Sequence, residues 1–146
     1  MRTMAAPLLA QWMLTTLAAG QGIAPVLIDL NRTHATHPLW PGHARFHLVA
    51  QVVAGVATSA VEIALLWWPG PWQQERFMLA AFLSAAPLLG YVVAMLTRRM
   101  YRGTLSDPLG IPPVRIRTRK GVIEFEINIA VIAVAVIWLA VAVALY

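Results

Sequence analysis

The chain has 146 residues, of which 60% are hydrophobic and only 12% are charged. A soluble domain of this size normally carries about 25% charged residues, so this chain has too little polar surface to cover a particle in water, and lipid must solvate much of it. The absence of cysteine excludes disulfides, thiolate metal ligands and a cysteine nucleophile.

Four apolar stretches follow one another, each long enough for the roughly 20 residues that a helix needs to cross a hydrocarbon core. Backbone groups in lipid must be paired within the segment, which favours helices. No stretch has the period-two alternation over the lengths that a membrane barrel requires. We therefore predict an all-α fold in one domain of residues 1–146, an integral membrane bundle of four antiparallel helices at about Met4–Ile28, Ala44–Trp68, Phe77–Thr97 and Val122–Leu145.

The first apolar stretch also has features of a secretory signal. Arg2 precedes it, and Leu17-Ala18-Ala19-Gly20 is similar to a signal-peptidase site. The apolar run continues to Ile28, beyond the usual length of a signal sequence, so we expect it to be kept as a helix.

Lysine and arginine are concentrated at one end of the predicted bundle. The connection between the first two helices holds Arg32 and Arg45, and seven of the eleven basic residues fall in the segment 98–120. The opposite end holds only Arg2 and Arg76. Because basic loops stay in the cytoplasm, we expect the segment 98–120 to be cytoplasmic and both termini to lie outside, in a bacterial inner membrane. The net charge of +5 therefore indicates membrane topology, and no nucleic-acid partner is expected.

All four histidines of the protein fall between residues 34 and 47. His43 and His47 are four residues apart at the start of a predicted helix, so their rings share a face, which is how two imidazoles hold one metal ion on a helix. With His37 from the preceding loop they form a candidate site for a divalent metal. Proton transfer by a neutral histidine is an equally natural role near neutral pH. The simpler interpretation is that these residues contact lipid headgroups and cap a helix.

Polar residues within apolar helices are costly in lipid and usually face an interior or a cavity. On the second helix such residues, with one glycine, recur at helical spacing: His43, His47, Gln51, Gly55, Thr58 and Glu62. A second stripe on the first helix ends at Asp29, and Glu124 and Asn128 share a face near the start of the fourth. We expect these stripes to converge on a polar pocket that opens at the histidine end.

The candidate acid/base residues of this pocket combine histidines with carboxyl groups and one amide. They are Asp29, His43, His47, Glu62, Glu124 and Asn128. The hydroxyl groups of Thr15, Thr58 and Ser84 are instead expected to bond to carbonyl groups of their own helices.

The basic segment before the fourth helix alternates arginine with other residues over Val114–Arg119. Its Arg115 and Arg117, together with Arg45 and Gln51, are candidates for contacts with anionic headgroups or an acidic substrate. The alternative is that the segment serves only to orient the protein in the membrane.

The segment from Asp29 to His47 resembles the signature of a family of small four-helix membrane proteins of unknown function. The pattern is D-x-N-x-T-H-A-T-H-P-x-W-x-x-H-A-R-F-H, over about 20 residues, and the rest of the chain is similar to that family only in its hydrophobic layout. The resemblance implies a four-helix membrane fold and no particular activity. More distantly, a small bundle with intramembrane His, Glu and Asn is similar to sterol-isomerase-like membrane proteins, in which such residues move protons onto a lipid double bond.

Three functions are compatible with these features. The first is a membrane enzyme that uses a His/carboxylate site at the cytoplasmic face for acid/base or metal-assisted chemistry on a lipophilic substrate. The second is a non-catalytic accessory subunit of a larger membrane complex, with a membrane protein or a second copy of the chain as its partner. The third is a small proton-coupled transporter in which Glu62 titrates. In each case membrane lipids surround the chain.

Overall fold

The structure is a computed structural model that describes residues 5–106, 112–119 and 121–146. Arg2, Met4 and part of the basic segment 98–120 lie outside the described residues. The chain is mostly helical, as predicted. It forms helices α1 (Ala5–Asp29), α2 (Gly42–Trp67), α3 (Gln73–Thr97) and α4 (Ile127–Leu145), a 3-10 turn at Arg98–Met100, and strands β1 (Val114–Thr118) and β2 (Gly121–Phe125).

Three of these helices are long and apolar enough to cross a membrane. They are α2, α3 together with the 3-10 turn that follows it, and α4. Only 6% of the most apolar window of α4 is buried inside the protein, so most of its valine, isoleucine and alanine side chains face outward. Such a surface is suited to lipid. Among the helices that the structure describes, α1 is not one of these three, and it contains Gln11 and Gln21.

The predicted start of the fourth helix was wrong. Residues 121–125 form strand β2, which pairs with β1 in an antiparallel hairpin, and α4 begins only at Ile127. The prediction failed because Val122, Ile123 and Phe125 continue the apolar run of α4 without a breaker. The prediction of an all-α fold was also wrong in this respect. It excluded strands only of the length that a membrane barrel requires, and β1 and β2 are five residues each.

Successive helices pack against each other in antiparallel pairs. The Trp67 indole Nε1 donates to the Thr15 hydroxyl (2.9 Å), which joins the end of α2 to an early turn of α1. The Trp138 indole Nε1 donates to the Met13 carbonyl (2.8 Å), which joins the second half of α4 to the first half of α1. The first and third helices therefore end, and the second and fourth begin, at one end of the molecule, hereafter the histidine end.

The closest approach between α1 and α2 depends on glycine. A Cβ atom at Gly22 would lie 2.8 Å from the Ser59 Oγ and 2.9 Å from the Ser59 Cβ, which is closer than real contacts allow. Ala18 precedes Gly22 by one turn and Gly55 precedes Ser59 by one turn, so each helix offers a pair of small residues. Pairs of small residues four apart are a common way for membrane helices to pack closely.

The apolar core lies at the end opposite the histidines. It contains Phe77, which is 2% exposed and stacks on the Tyr146 ring with 3.8 Å between ring centroids. The remaining buried members are small or aliphatic side chains from α1, α2 and α3: Ala10, Leu14, Leu66, Ala80 and Ala81. The histidine end is therefore free of this core and is built from polar contacts.

Candidate functional site

The loop after α1 is held by the side chain of Asn31. Its Nδ2 donates to the carbonyl groups of Leu27 (2.9 Å) and Ile28 (2.8 Å), which would otherwise be unpaired at the helix end. Its Oδ1 accepts from the Thr33 backbone N–H (2.8 Å) and from the Thr33 hydroxyl (2.7 Å). This turn positions the next residue, His34.

The hydrogen bonds of this turn assign the tautomer of His34. The Thr33 Oγ1 lies 2.8 Å from the His34 Nδ1. The hydroxyl has one proton, and its other neighbours, the Asn31 Oδ1 and the Ile28 carbonyl at 3.2 Å, can only accept. The hydroxyl must therefore accept from His34, so Nδ1 carries the proton. In the neutral ring Nε2 is then a free base.

A carboxyl group stands beside the same ring nitrogen. The Asp29 Oδ1 lies 3.8 Å from the His34 Nδ1, which is beyond hydrogen-bond distance. Burial raises the pKa of the Asp29 carboxyl above its usual range, and the nearby His34 opposes part of that rise. The His34 ring also meets Trp40 edge-on, with 5.3 Å between ring centroids. Asp29, Thr33 and His34 thus form an oriented His/carboxylate site at the end of α1.

The other histidines do not join this site. His43 and His47 pair on the exposed first turns of α2, with their Nε2 atoms 3.0 Å apart. His37 is 3% exposed, its Nδ1 accepts from the Leu39 backbone N–H (3.2 Å), and its buried Nε2 has no partner. Among the residues that the structure describes, no three His, Asp or Glu side chains are arranged to hold a metal ion. The predicted metal triad of His37, His43 and His47 is therefore reduced to an exposed pair.

A second polar group lies inside the helices. Glu62 on α2 is 1% exposed and is the only buried carboxyl group among those described. Its Oε2 accepts a hydrogen bond from the Ser84 hydroxyl of α3, and the Ser84 carbonyl accepts from the Gln21 Nε2 of α1 at 2.9 Å. Three helices are thereby joined through one chain of hydrogen bonds. Burial of an ionisable group is costly, so Glu62 is a candidate functional residue.

A groove of about 380 Å³ lies between α1, α3 and α4, and Gln21 from this hydrogen-bond network is one of its lining residues. It is predominantly apolar and its size suits a lipid-sized or drug-sized ligand. The lining residues from α1 are Thr16, Leu17, Gly20, Gln21, Ala24 and Pro25, those from α3 are Pro87 and Leu88, and those from α4 are Val131, Ile132 and Ala135. We call this the α1–α3–α4 groove.

The groove and the His34 site share one face of α1. Gln21 and Pro25 line the groove. Asp29 follows Pro25 by four residues, and residues four apart lie on the same side of a helix. The carboxyl group that accompanies His34 therefore lies one turn beyond the groove, at its histidine end.

The polar stripe predicted on α2 does not converge on one pocket. Fifteen residues of helix separate His47 from Glu62, a rise of about 22 Å. His43, His47 and Gln51 are exposed, whereas Glu62 is buried and bonded to Ser84 of α3. The expected single pocket is thus two groups, one at the histidine end and one inside the helices.

The candidates near α4 also belong elsewhere. Glu124 lies on strand β2, opposite Arg115, and the Arg115 Nε donates to its Oε1 at 3.0 Å. Asn128 is exposed in the first turn of α4. The expectation that Glu124 and Asn128 share a helix face was wrong, because the helix begins after Glu124.

The hydroxyl groups of Thr15, Thr58 and Ser84 have two kinds of hydrogen-bond acceptor. The Thr15 and Thr58 hydroxyls donate to carbonyl groups one turn earlier, those of Gln11 (2.7 Å) and Ala54 (2.9 Å), as predicted. The prediction was wrong for Ser84, whose hydroxyl donates to Glu62 on another helix. Sequence reasoning also missed the roles of Gln21 and His34. A signal for His34 was present in the pattern Asn31-x-Thr33, which is typical of a side-chain turn at a helix end.

The candidate headgroup residues lie on the surface at the histidine end. The Arg45 Nη2 donates to the Pro38 carbonyl (3.3 Å). Arg115 and Arg117 occupy one face of the hairpin, since residues two apart in a strand point the same way. The opposite face is apolar and exposed, and consists of Val114, Ile116, Ile123 and Phe125.

Comparison with known proteins finds no protein-family model, no curated protein and no solved structure that matches this chain. The resemblance over Asp29–His47 stays a prediction.

Proposed function

We propose that this chain is an integral membrane protein, a bundle of four antiparallel helices, that takes a lipophilic molecule from the bilayer into the α1–α3–α4 groove and transfers a proton on it. His34 is the base, and Asp29 and Thr33 orient it. The observation that carries the proposal is the common face of α1, on which Gln21 and Pro25 line the groove and Asp29 follows one turn later.

The chemistry follows from the hydrogen bonds of His34. With Nδ1 donating to Thr33, Nε2 accepts a proton from a carbon or oxygen atom of the substrate. The positive charge that forms on the ring is stabilised by the Asp29 carboxylate 3.8 Å away. Return of the proton from Nε2 to another atom of the substrate completes an isomerisation that consumes no co-reactant.

This function places the histidine end at the cytoplasmic face of a bacterial inner membrane and both termini outside. Support comes from the distribution of charge, because Arg32, Arg45 and the basic segment all lie at that end. A lipophilic substrate in the groove then has its polar end near the headgroups, where His34 and Asp29 lie. In this arrangement the hairpin of β1 and β2 rests on the membrane surface with its apolar face down and Arg115 and Arg117 toward acidic lipids.

Reversal of the hairpin charge tests that membrane contact. In the double variant Arg115→Glu/Arg117→Glu, binding of a synthetic peptide spanning residues 112–126 to vesicles with 30% anionic lipid is expected to fall about tenfold or more, since each basic residue near such a surface contributes about 1 kcal/mol. Vesicles of neutral lipid serve as the control. Equal binding of both peptides to anionic vesicles would show that the hairpin does not use these arginines.

Occupation of the groove is tested by native mass spectrometry of the protein released from lipid nanodiscs. The wild-type protein is expected to retain one lipophilic molecule. In Ala135→Trp, the indole fills the groove from α4, and the adduct is expected to be lost. The matched control is Ala133→Trp, because Ala133 is exposed on the same helix and does not line the groove. Retention of the adduct in Ala135→Trp would place the bound molecule elsewhere and remove the support for the proposal.

The enclosed carboxyl group favours a second candidate function, a proton-coupled transporter. Glu62 is the only buried carboxyl among those described, and its Oε2 is bonded to Ser84. In that case Glu62→Gln stops proton-coupled uptake in vesicles, whereas Glu75→Gln, an exposed position at the start of α3, leaves it unchanged. If the Glu62→Gln variant still exchanges protons with a lipid, the enzymatic function is favoured over the transporter.

The outward face of α4 favours a third candidate, a structural role in a larger membrane complex. Val134 and Ile137 are 62% and 64% exposed, which suits either lipid or another membrane protein. The mass of the protein after gentle solubilisation separates the two, since an accessory subunit stays with a partner chain or a second copy of itself.

A further inference from the structure

Two histidines at the start of α2 stand apart from the His34 site. His43 and His47 are both exposed, and their Nε2 atoms lie 3.0 Å apart. Their rings meet edge to face, with 4.4 Å between the ring centroids. In contrast, the Nδ1 of His34 is bonded to Thr33, and His37 is only 3% exposed. The pair therefore lies on the surface, where an ion from solution can reach it.

The two Nε2 atoms lie at a distance that suits one metal ion. Residues four apart share a face of a helix, and paired histidines at this spacing can bind one ion. With metal–nitrogen bonds of about 2.0–2.1 Å, two neighbouring nitrogen ligands lie about 2.9 Å apart on a square-planar or octahedral ion and about 3.3 Å apart on a tetrahedral one. The observed 3.0 Å is closer to the first value. The spacing therefore favours Cu²⁺ or Ni²⁺ over a tetrahedral Zn²⁺ ion.

Neutral imidazoles can supply both ligands without gain or loss of a proton. In the hydrogen-bonded pair, the Nε2–H of one ring donates to the Nε2 of the other. When that proton moves to the Nδ1 of its own ring, both Nε2 atoms are unprotonated. The torsion between Cβ and the ring of a histidine is soft, so each exposed ring can turn its lone pair toward the ion.

The charge of Arg45 does not oppose an ion at the pair. Arg45 lies two residues from each histidine, and residues two apart do not face each other on a helix. Its Nη2 donates to the Pro38 carbonyl at 3.3 Å. The guanidinium group is therefore directed toward the preceding loop and away from the two rings.

We infer that His43 and His47 form a binding site for a divalent transition-metal ion, with Cu²⁺ bound most tightly. Cu²⁺ stands highest among the first-row divalent ions in affinity for nitrogen ligands, and imidazole suits it. The bound ion joins the first two turns of α2, and water completes its coordination. The inference does not rest on the proposed function, because neither His34 nor Asp29 is a ligand.

Electron paramagnetic resonance of Cu²⁺ tests this inference. The probe is Cu²⁺ alone, added in equimolar amount to the untagged full chain in a non-ionic detergent. The nitrogen couplings are expected to show two imidazoles on one ion. In His43→Gln or His47→Gln, the affinity for Cu²⁺ is expected to fall about a hundredfold or more, because two linked ligands hold an ion far more tightly than either alone.

The matched control is His34→Gln, which is expected to keep both the affinity for Cu²⁺ and the signal of two imidazoles. Since His43 and His47 are exposed, their variants are expected to unfold at the wild-type midpoint without metal. Added Cu²⁺ is expected to raise the midpoint of the wild-type protein and of His34→Gln but not that of the pair variants.

Two results would overturn the inference. One is a signal of a single imidazole in the wild-type protein, and the other is an unchanged affinity for Cu²⁺ in both His43→Gln and His47→Gln. Neither result bears on proton transfer at His34, which is measured separately as lipid conversion.

Discussion

Substitution of His34 by glutamine is expected to lower the rate of lipid conversion by about a hundredfold or more, the usual contribution of a positioned acid/base residue. Glutamine keeps a polar side chain next to Thr33 and Trp40 but has no basic nitrogen. The measurement is the change in lipid species of cells that express the wild-type protein, the variant or neither.

The chain offers a matched control in His47→Gln. His47 is a histidine of the same segment that is exposed and contacts only its neighbours His43 and Phe46 among the described rings. It is expected to retain wild-type conversion. Asp29→Asn should lie between the two, since it keeps the shape of the site and removes the charge that stabilises the ring. Loss of conversion in His47→Gln with retention in His34→Gln would move the site to the start of α2.

Replacement of Gly22 by alanine is expected to destabilise the protein by about 1–3 kcal/mol, the usual cost of inserting a methyl group where there is no room. The new Cβ would lie 2.8 Å from the Ser59 Oγ and 2.9 Å from the Ser59 Cβ, so α1 and α2 must separate. The change is measured as the fall in the midpoint of thermal unfolding in detergent.

Gly20 supplies the control for this effect. A Cβ at Gly20 meets nothing within 4 Å, so Gly20→Ala is expected to keep or raise the midpoint by restricting the unfolded chain. The double variant Gly22→Ala/Ser59→Gly removes both clashing atoms, and the next atom, the Val56 Cα, is 3.8 Å away. The double variant is therefore expected to have a higher unfolding midpoint than Gly22→Ala, even though Ser59→Gly alone lowers the midpoint. A midpoint that is unchanged in Gly22→Ala would contradict the close packing of the two helices.

The helices could be predicted because hydropathy is a local property. Each apolar stretch is recognised from its own residues, so α1, α2 and α3 were placed to within a few residues. The hairpin could not be predicted in this way, although apolar residues and arginines alternate in its first strand, Val114–Thr118. Its second strand has three apolar residues in five and runs into α4, and only pairing with β1 reveals that it is extended.

The two polar groups differ in how far the sequence could reveal them. The segment with the histidines stood out because all four fall in one short stretch, but the choice of His43 and His47 over His34 followed helical spacing. The base assigned to His34 depends on the turn built by Asn31 and Thr33, which fixes the ring nitrogen that carries the proton. The hydrogen bonds from Gln21 through Ser84 to Glu62 join three helices. They form only when the three helices are aligned along their axes, and residue spacing within one helix does not specify that alignment.

The central claim is that His34 exchanges a proton with a lipophilic molecule, and uptake of deuterium tests it most directly. Purified wild-type protein is incubated in D₂O with a total lipid extract of the membrane from which it was isolated, and carbon-bound deuterium is measured by mass spectrometry after exchange of labile hydrogens. One lipid species is expected to gain mass with the wild-type protein and to remain unlabelled with His34→Gln. If no lipid species takes up deuterium with the wild-type protein, or if labelling is the same with His34→Gln, the proposed proton transfer at this site is wrong.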